Sequence, residues 1–325
     1  MSYPTGEDPT DRVDGGAESD DSPAGESLFA QGDLSREKLK NRLFSGLLFG
    51  ASVFGLVVLA LLILDVLWES YRAVTVFEID LGQFLTATSS SRPTRAGFGA
   101  SILASIWLMA LTAVMAFFIA VGCAVYLVEY APDNRVTRLI ETNLANLAGV
   151  PSIVYGLLVL ALIVNDAGLG SVILAGAIAL ALLIVPIIIV ASIEALRAVP
   201  DGVRDGAYAM GSTRWQTIRR VVLPQAMPGI LTGTILALAR AIGETAPLIM
   251  VGTLLHATRY PTGPLSDFSA MPTQIYNWTF QADRMFDALA ALGIVVLLIV
   301  LVAMYALAGY LRRRYEAEGG TITNV

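Results

Sequence analysis

The sequence predicts an all-α membrane protein with six transmembrane helices. Three observations carry this reading. Of 325 residues, 55% are hydrophobic and 15% charged, with a mean hydropathy of +0.67, whereas a soluble domain carries about 25% charged residues. The apolar residues gather into six stretches long enough to cross a bilayer core of ~30 Å, which takes about 20 residues as helix. Cys123 and His256 are the single residues of their types. That excludes a disulfide framework, a Cys- or His-ligated metal centre and a His-based triad.

Residues 1–33 hold nine acids and one base, Arg12, so the tail is −8 and the rest of the chain +2. Rich in Gly, Ser and Pro and poor in apolar residues, the tail is expected to be disordered and solvating. With the basic juxtamembrane segment it makes up residues 1–42. The first span is Leu43–Leu64, within a segment 43–68 that Trp68 closes as an interface anchor. Ala96–Val128 is the second span, Thr142–Asn165 the third, Ala167–Ile193 the fourth, Ala226–Gly252 the fifth and Ala288–Leu311 the sixth. Gly149, Pro151 and Ser152 interrupt the third. Proline removes a backbone donor there and kinks the helix, and a break in lipid must be covered by protein or line a cavity.

Basic residues set the orientation. With the N-terminus inside, five of the 21 Lys and Arg fall outside (Arg72, Arg92, Arg95, Arg259, Arg284), Arg240 lies in the membrane, and the other fifteen fall inside. Both termini are therefore expected in the cytoplasm, with the cell membrane as location.

The inner loop 194–225 is patterned. Pro200 with Asp201 and Asp205 suits a helix start. Val203, Ala207 and Met210 share one face. Gly211 suits a helix stop, and Ser212 or Thr213 can cap a second helix whose apolar face is Trp215, Ile218 and Val222. Leu223-Pro224 is read as the close of that helix before the fifth span. The same pattern would suit a helix lying in the headgroups, anchored by Trp215, Arg219 and Arg220.

The run Asp205-Gly206-Ala207, three residues, Gly211, nine residues, Val221, one residue, Leu223-Pro224 resembles the E-A-A-x3-G-x9-I-x-L-P loop of ABC import permeases. Asp205, Gly206 and Val221 depart from that pattern; Gly206 loosens the helix by about 1 kcal/mol. Gly149-Val150-Pro151-Ser152-Ile153-Val154-Tyr155-Gly156 and Arg240-Ala241-Ile242-Gly243-Glu244-Thr245-Ala246-Pro247-Leu248 resemble signatures of phosphate permeases of the PstA family. The resemblance covers about residues 96–315, the expected permease core, and leaves out the tail. It implies a type I ABC importer permease fold (MetI-like) whose loop 194–225 docks an ATPase. It also implies a homologous PstC-like permease chain, a PstB-like ATPase dimer, an extracytoplasmic PstS-like phosphate-binding protein and surrounding lipid. ATP and Mg would bind the ATPase, with no cofactor in this chain and no nucleic acid among its partners.

Arg240 and Glu244 are read as the ionisable side chains well inside a span, where a charge costs ~2.5–3.5 kcal/mol on insertion scales. They either neutralise each other in packing or line a pathway. In the second case Arg240 offers its planar fork to an oxyanion, Glu244 orients it or accepts from a protonated oxygen, and Thr245 adds a neutral donor. The rival readings are a sulfate, molybdate or tungstate permease and an ion-coupled secondary anion carrier. The carrier leaves the inner loop unexplained.

The chain has no G-x-x-x-x-G-K-[ST] phosphate cradle. Purified alone, it is expected neither to bind nor to hydrolyse ATP; hydrolysis by a contaminant-free preparation would refute the assignment.

Overall fold

The computed structural model describes residues 24–252 and 258–320; most of the acidic tail, and His256, lie outside them. By contacts the chain divides after Leu62. Within the first unit lies the larger part of helix α1 (Ala24–Thr75), whose side chains from Leu43 to Leu62 are exposed.

From Ile63 the rest of the chain forms one unit. After α1 come α2 (Leu81–Thr86), capped by Asp80, and a 3-10 turn, Pro93–Arg95. Helix α3 (Gly99–Val125) runs on through a π-turn, Tyr126–Tyr130. Next are α4 (Arg135–Leu147), capped by Asn134, and α5 (Ser152–Val159), extended by a π-turn, Leu160–Asp166. Helix α6 (Ile173–Arg197) leads to α7 (Asp201–Ala209). Helix α8 (Arg214–Thr217) continues through a π-turn, Ile218–Val222, into α9 (Leu223–Ile242). Then come α10 (Ala246–Val251), α11 (Met271–Thr279) and α12 (Arg284–Gly320). Among the described residues there is no strand, only a bridge between Val172 and Asp267.

Among the described residues five helices are long and apolar enough to cross a membrane, or six if α4 and α5 are one span. That pair departs from the expected third span. The helices meet at 100°, so Gly149 to Pro151 form a corner rather than a kink. Arg135 to Leu147 is a separate amphipathic helix, and residues 142–147 belong to it. The corner satisfies its own backbone: the Leu147 carbonyl accepts from Val150 N at 3.1 Å and from the Tyr155 hydroxyl at 2.9 Å.

Helix α6 is the hub. It is apolar all round, as a helix enclosed by protein should be, and 67% of its apolar window is buried, against 33% for α3. Ile184 and Ile188 of α6 pack with Ala116 and Ala120 of α3 and with Ile230 and Ala237 of α9. The α6–α9 seam is made of small residues four apart. A Cβ on Gly229 would lie 2.7 Å from the Ala195 Cβ, and one on Gly233 would overlap Ala191. Backbones come this close only where side chains are absent, which is how helices associate without a hydrophobic drive. The first amides of α6 are satisfied from the chain before α11: Ile173 N donates to Ser266 O at 3.0 Å and Leu174 N to Pro264 O at 2.9 Å.

A second core closes the far end of α3 from its π-turn. Phe84 stacks on Phe98 with ring centroids 5.6 Å apart, and Trp278 sits 5.5 Å from Phe98. Phe286 and Leu289 of α12 join them. Helices α2 and α11 fall in stretches read as plain loops, although Met271, Ile275 and Trp278 at i, i+4, i+7 are a helical signal.

Replacing Gly233 by leucine should therefore split the α6–α9 seam at a cost of about 1–3 kcal/mol, with alanine milder. Thermal unfolding of the detergent-purified protein checks this; an unchanged midpoint for the leucine variant would contradict the seam.

Candidate functional site

Two places gather the residues singled out above. The first is the loop between α6 and α9. Helix α7 ends before Gly211, which takes φ +82°, a left-handed conformation that costs a Cβ-bearing residue ~1 kcal/mol or more. No atom lies within 4 Å of a Cβ built there, so the backbone and not crowding demands glycine. Thr213 then caps α8 in a reciprocal box with Gln216: Thr213 N donates to Gln216 Oε1 at 2.9 Å and Gln216 N to Thr213 Oγ1 at 3.4 Å.

The expected closure at Leu223-Pro224 does not occur. The helix runs unbroken from Arg214 to Ile242, 29 residues or about 43 Å. The π-turn just before Pro224 widens the coil where the proline ring would otherwise press on the preceding turn. Ile218 and Val222 are buried as expected, while Met210 is 87% and Trp215 57% exposed. Asp205, Gly206 and Pro224 are exposed too, and Ala207, Val221 and Leu223 half-buried. The loop thus carries an apolar surface, Tyr208, Met210 and Trp215 around Gly211, that the chain itself leaves uncovered.

What holds the loop is Arg204, read from the sequence only as one more inner positive charge. Its guanidinium donates to Val199 O at 2.6 Å and Leu196 O at 2.8 Å, and pairs with Asp201 at 3.0 Å and Glu129 at 3.3 Å. Arg214 lies over the Tyr130 ring, 5.0 Å from its centroid. A sequence signal existed: Glu129 is the acid that closes the charge-free run 96–128.

The second place is a break in the fifth span. Helix α9 ends at Ile242, and Gly243 N and Glu244 N donate to Arg240 O and Ala241 O at 3.2 and 3.1 Å. Arg240 and Glu244 therefore do not lie on one continuous helix, as their spacing had suggested; Arg240 is in the last turn of α9 and Glu244 in the turn beyond. They still meet, Nε to Oε1 at 3.5 Å, with Arg240 half-exposed and Glu244 mostly covered. A guanidinium at a helix C-terminus is also favoured by the helix dipole. Half-buried Thr245 precedes α10 without capping it by its side chain.

The fold joins the two signature stretches. A Cβ on Gly156 would lie 2.6 Å from the Cα and carbonyl oxygen of Pro247, so α10 lies directly on α5. Gly149 and Pro151, both exposed, and half-buried Ser152 form the corner that leads into α5. Helix α10 stops at Gly252, φ +88°, where Ser171 Oγ donates to Val251 O at 2.8 Å. Among the described residues no cluster of His, Cys, Asp and Glu could hold a metal ion.

Comparison with known proteins agrees with this architecture. The binding-protein-dependent transport system inner membrane component family matches residues 119–317. The probable ABC transporter permease YqgI of Bacillus subtilis is 34% identical over 67% of this chain and 78% of its own length. The probable phosphate transport system permease PstA of Methanocaldococcus jannaschii is 34% identical over 68% and 76%. PstA of Yersinia pestis is 32% identical over 75% and 82%. Among solved structures, a bacterial alginate ABC transporter superposes with TM-score 0.63 at 15% identity, over 86% of this chain and 96% of that one. The inward-facing methionine transporter MetNI gives 0.55 at 18%, over 66% and 94%; at such identities the likeness concerns the fold. The multi-pass helical bundle and the matched stretch agree: the chain belongs to the binding-protein-dependent transport system inner membrane component family, the membrane permeases of ABC importers, among whose members it resembles the PstA proteins.

Proposed function

We propose that the chain is the PstA-type permease subunit of an importer for inorganic phosphate. The observation that carries the substrate is Arg240. It is a half-exposed guanidinium within a membrane span, at the helix break whose sequence, Arg240 to Leu248, ends in Thr-Ala-Pro-Leu. Relatives with PstA in their names support the same substrate. A charge at such a depth faces a cavity or a partner, and the planar fork fits a tetrahedral oxyanion. Arg240 is then a contact along the pathway. Selection of the anion belongs to a PstS-like binding protein outside, as the complex of the alginate transporter with its periplasmic protein illustrates for that system.

Both termini lie in the cytoplasm on this reading, which the distribution of basic residues supports. The exposed apolar surface around Gly211 meets a PstB-like ATPase dimer that binds ATP and Mg. A PstC-like chain completes the pathway. ATP-driven closure of the ATPases moves the loop, and the single helix from Arg214 to Ile242 carries that motion to the break beside Arg240.

Uptake of labelled phosphate, sulfate and molybdate in a deletion strain, with and without this chain, tests the substrate. Phosphate alone should depend on it; dependence of sulfate or molybdate instead would overturn the reading.

Arg240→Gln should cut phosphate uptake at least about tenfold, the size of one charged hydrogen bond, while the complex still assembles. Arg240→Lys should rescue in part, since an ammonium lacks the fork. Near-normal uptake in Arg240→Gln combined with Glu244→Gln would reduce the pair to packing.

At Gly211 the strain of φ +82° predicts a ranking. Asparagine is tolerated, alanine costs ~1 kcal/mol and β-branched valine more. Co-purification of the ATPase and phosphate uptake should fall in that order. Full docking and uptake with Gly211→Val would make the loop a passive interfacial element.

A further inference from the structure

The π-turn that ends α3 grips the loop on both sides of Gly211. Glu129 pairs with Arg204 of α7 at 3.3 Å, and the next residue, Tyr130, lies under Arg214 of α8 at 5.0 Å. Among the described residues Glu129 is the one charged side chain that is buried, 6% exposed. A buried carboxylate is costly unless paired and hydrogen-bonded, and a buried pair adds little net stability compared with apolar packing. Its best-attested use is to fix register. Arg204 is built for that use, because its two hydrogen bonds to the Leu196 and Val199 carbonyls hold the guanidinium against the end of α6. One cation therefore joins α6, α7 and α3, and the adjoining ring adds α8. π-turns are concentrated at functional sites, and this one supplies both gripping residues.

We propose that Glu129 and Tyr130 are positioning residues for coupling: they clamp the ATPase-docking loop to α3, so that loop motion moves α3 together with α9. This rests on the permease reading given above. Without the clamp the loop can tilt against α3, and ATP is spent while the pathway responds poorly.

The test uses the complete complex, with partner permease, ATPase and binding protein, in proteoliposomes. It measures anions moved per ATP hydrolysed, with the anion that the wild type carries. A wild type that moves another oxyanion contradicts the phosphate reading, whereas this inference is scored only by variants against wild type. Glu129→Gln and Tyr130→Leu should each leave ATP hydrolysis and ATPase co-purification near wild type. Each should lower transport per ATP by about threefold to tenfold, in the lower part of the range of measured pairwise couplings, and the two together should lower it further. Arg204→Lys, which keeps the charge but not the simultaneous contacts, should fall between wild type and Arg204→Ala. If Arg204→Ala is lost from the membrane, the half-exposed Tyr130 still provides a variant with no burden on folding. Unchanged transport per ATP in both Glu129→Gln and Tyr130→Leu would overturn the proposal. So would a loss of transport and hydrolysis in equal proportion, which marks a merely structural role.

Discussion

No backbone polar group can be left unpaired where a chain crosses lipid, and the positions of both broken helices follow from that constraint. The turn at residues 243–245 would be untenable facing hydrocarbon. It is tolerated because its amides fold back onto the last carbonyls of α9 and because α10 lies on α5. The corner at 149–151 is closed by the Tyr155 hydroxyl. Gly156 lets the Pro247 backbone come within contact distance, so the helix that follows one break covers the helix that follows the other. Arg240, Glu244 and Thr245 owe their place to this arrangement.

The rest of the core serves to hold these parts in register. Helix α6 is enclosed and nearly featureless chemically. Its small residues admit α9 at backbone distance, and its final carbonyls hold Arg204. From Thr213 onward the chain runs as one helix to the break at Gly243. On the proposed reading, a rod of this kind carries a displacement at the loop to the break beside Arg240. The two-sided grip of the α3 π-turn on the loop is consistent with such a design.

Several features were legible without any structure because they depend on local chemistry. Apolar runs with hardly any charge specify membrane helices, since water and lipid alone decide where they lie. Gly211 announced a helix stop because only glycine takes a positive φ cheaply, and Ser212 or Thr213 offered a cap for the next start, of which the structure uses Thr213. The spacing of Asp205 to Pro224 and the stretches around Pro151 and Arg240 pointed to the permease family. Each is a pattern within a few tens of residues, readable by period and by residue type.

Other features depend on what lies across the fold. Hydropathy alone does not distinguish a kink at Pro151 from a 100° corner, because both sides of the break are apolar enough to count as one run. Pro224 looks like a terminator in sequence, yet a π-turn absorbs it, and Val222, buried in one core with residues of α6 and α3, keeps the helix whole. Arg204 and Glu129 are 75 residues apart and look like two ordinary inner charges until folding buries them together. By itself, then, the sequence determined the fold class, the long apolar runs, the glycine stop at Gly211 and the family, all of which rest on solvation and local backbone preference. Only the tertiary structure decided that the two signature stretches meet at Gly156 and Pro247, and that one arginine ties the loop to the bundle. Long-range pairing leaves no period in the chain, so the close approach of distant backbones and charges becomes visible only once the helices are packed.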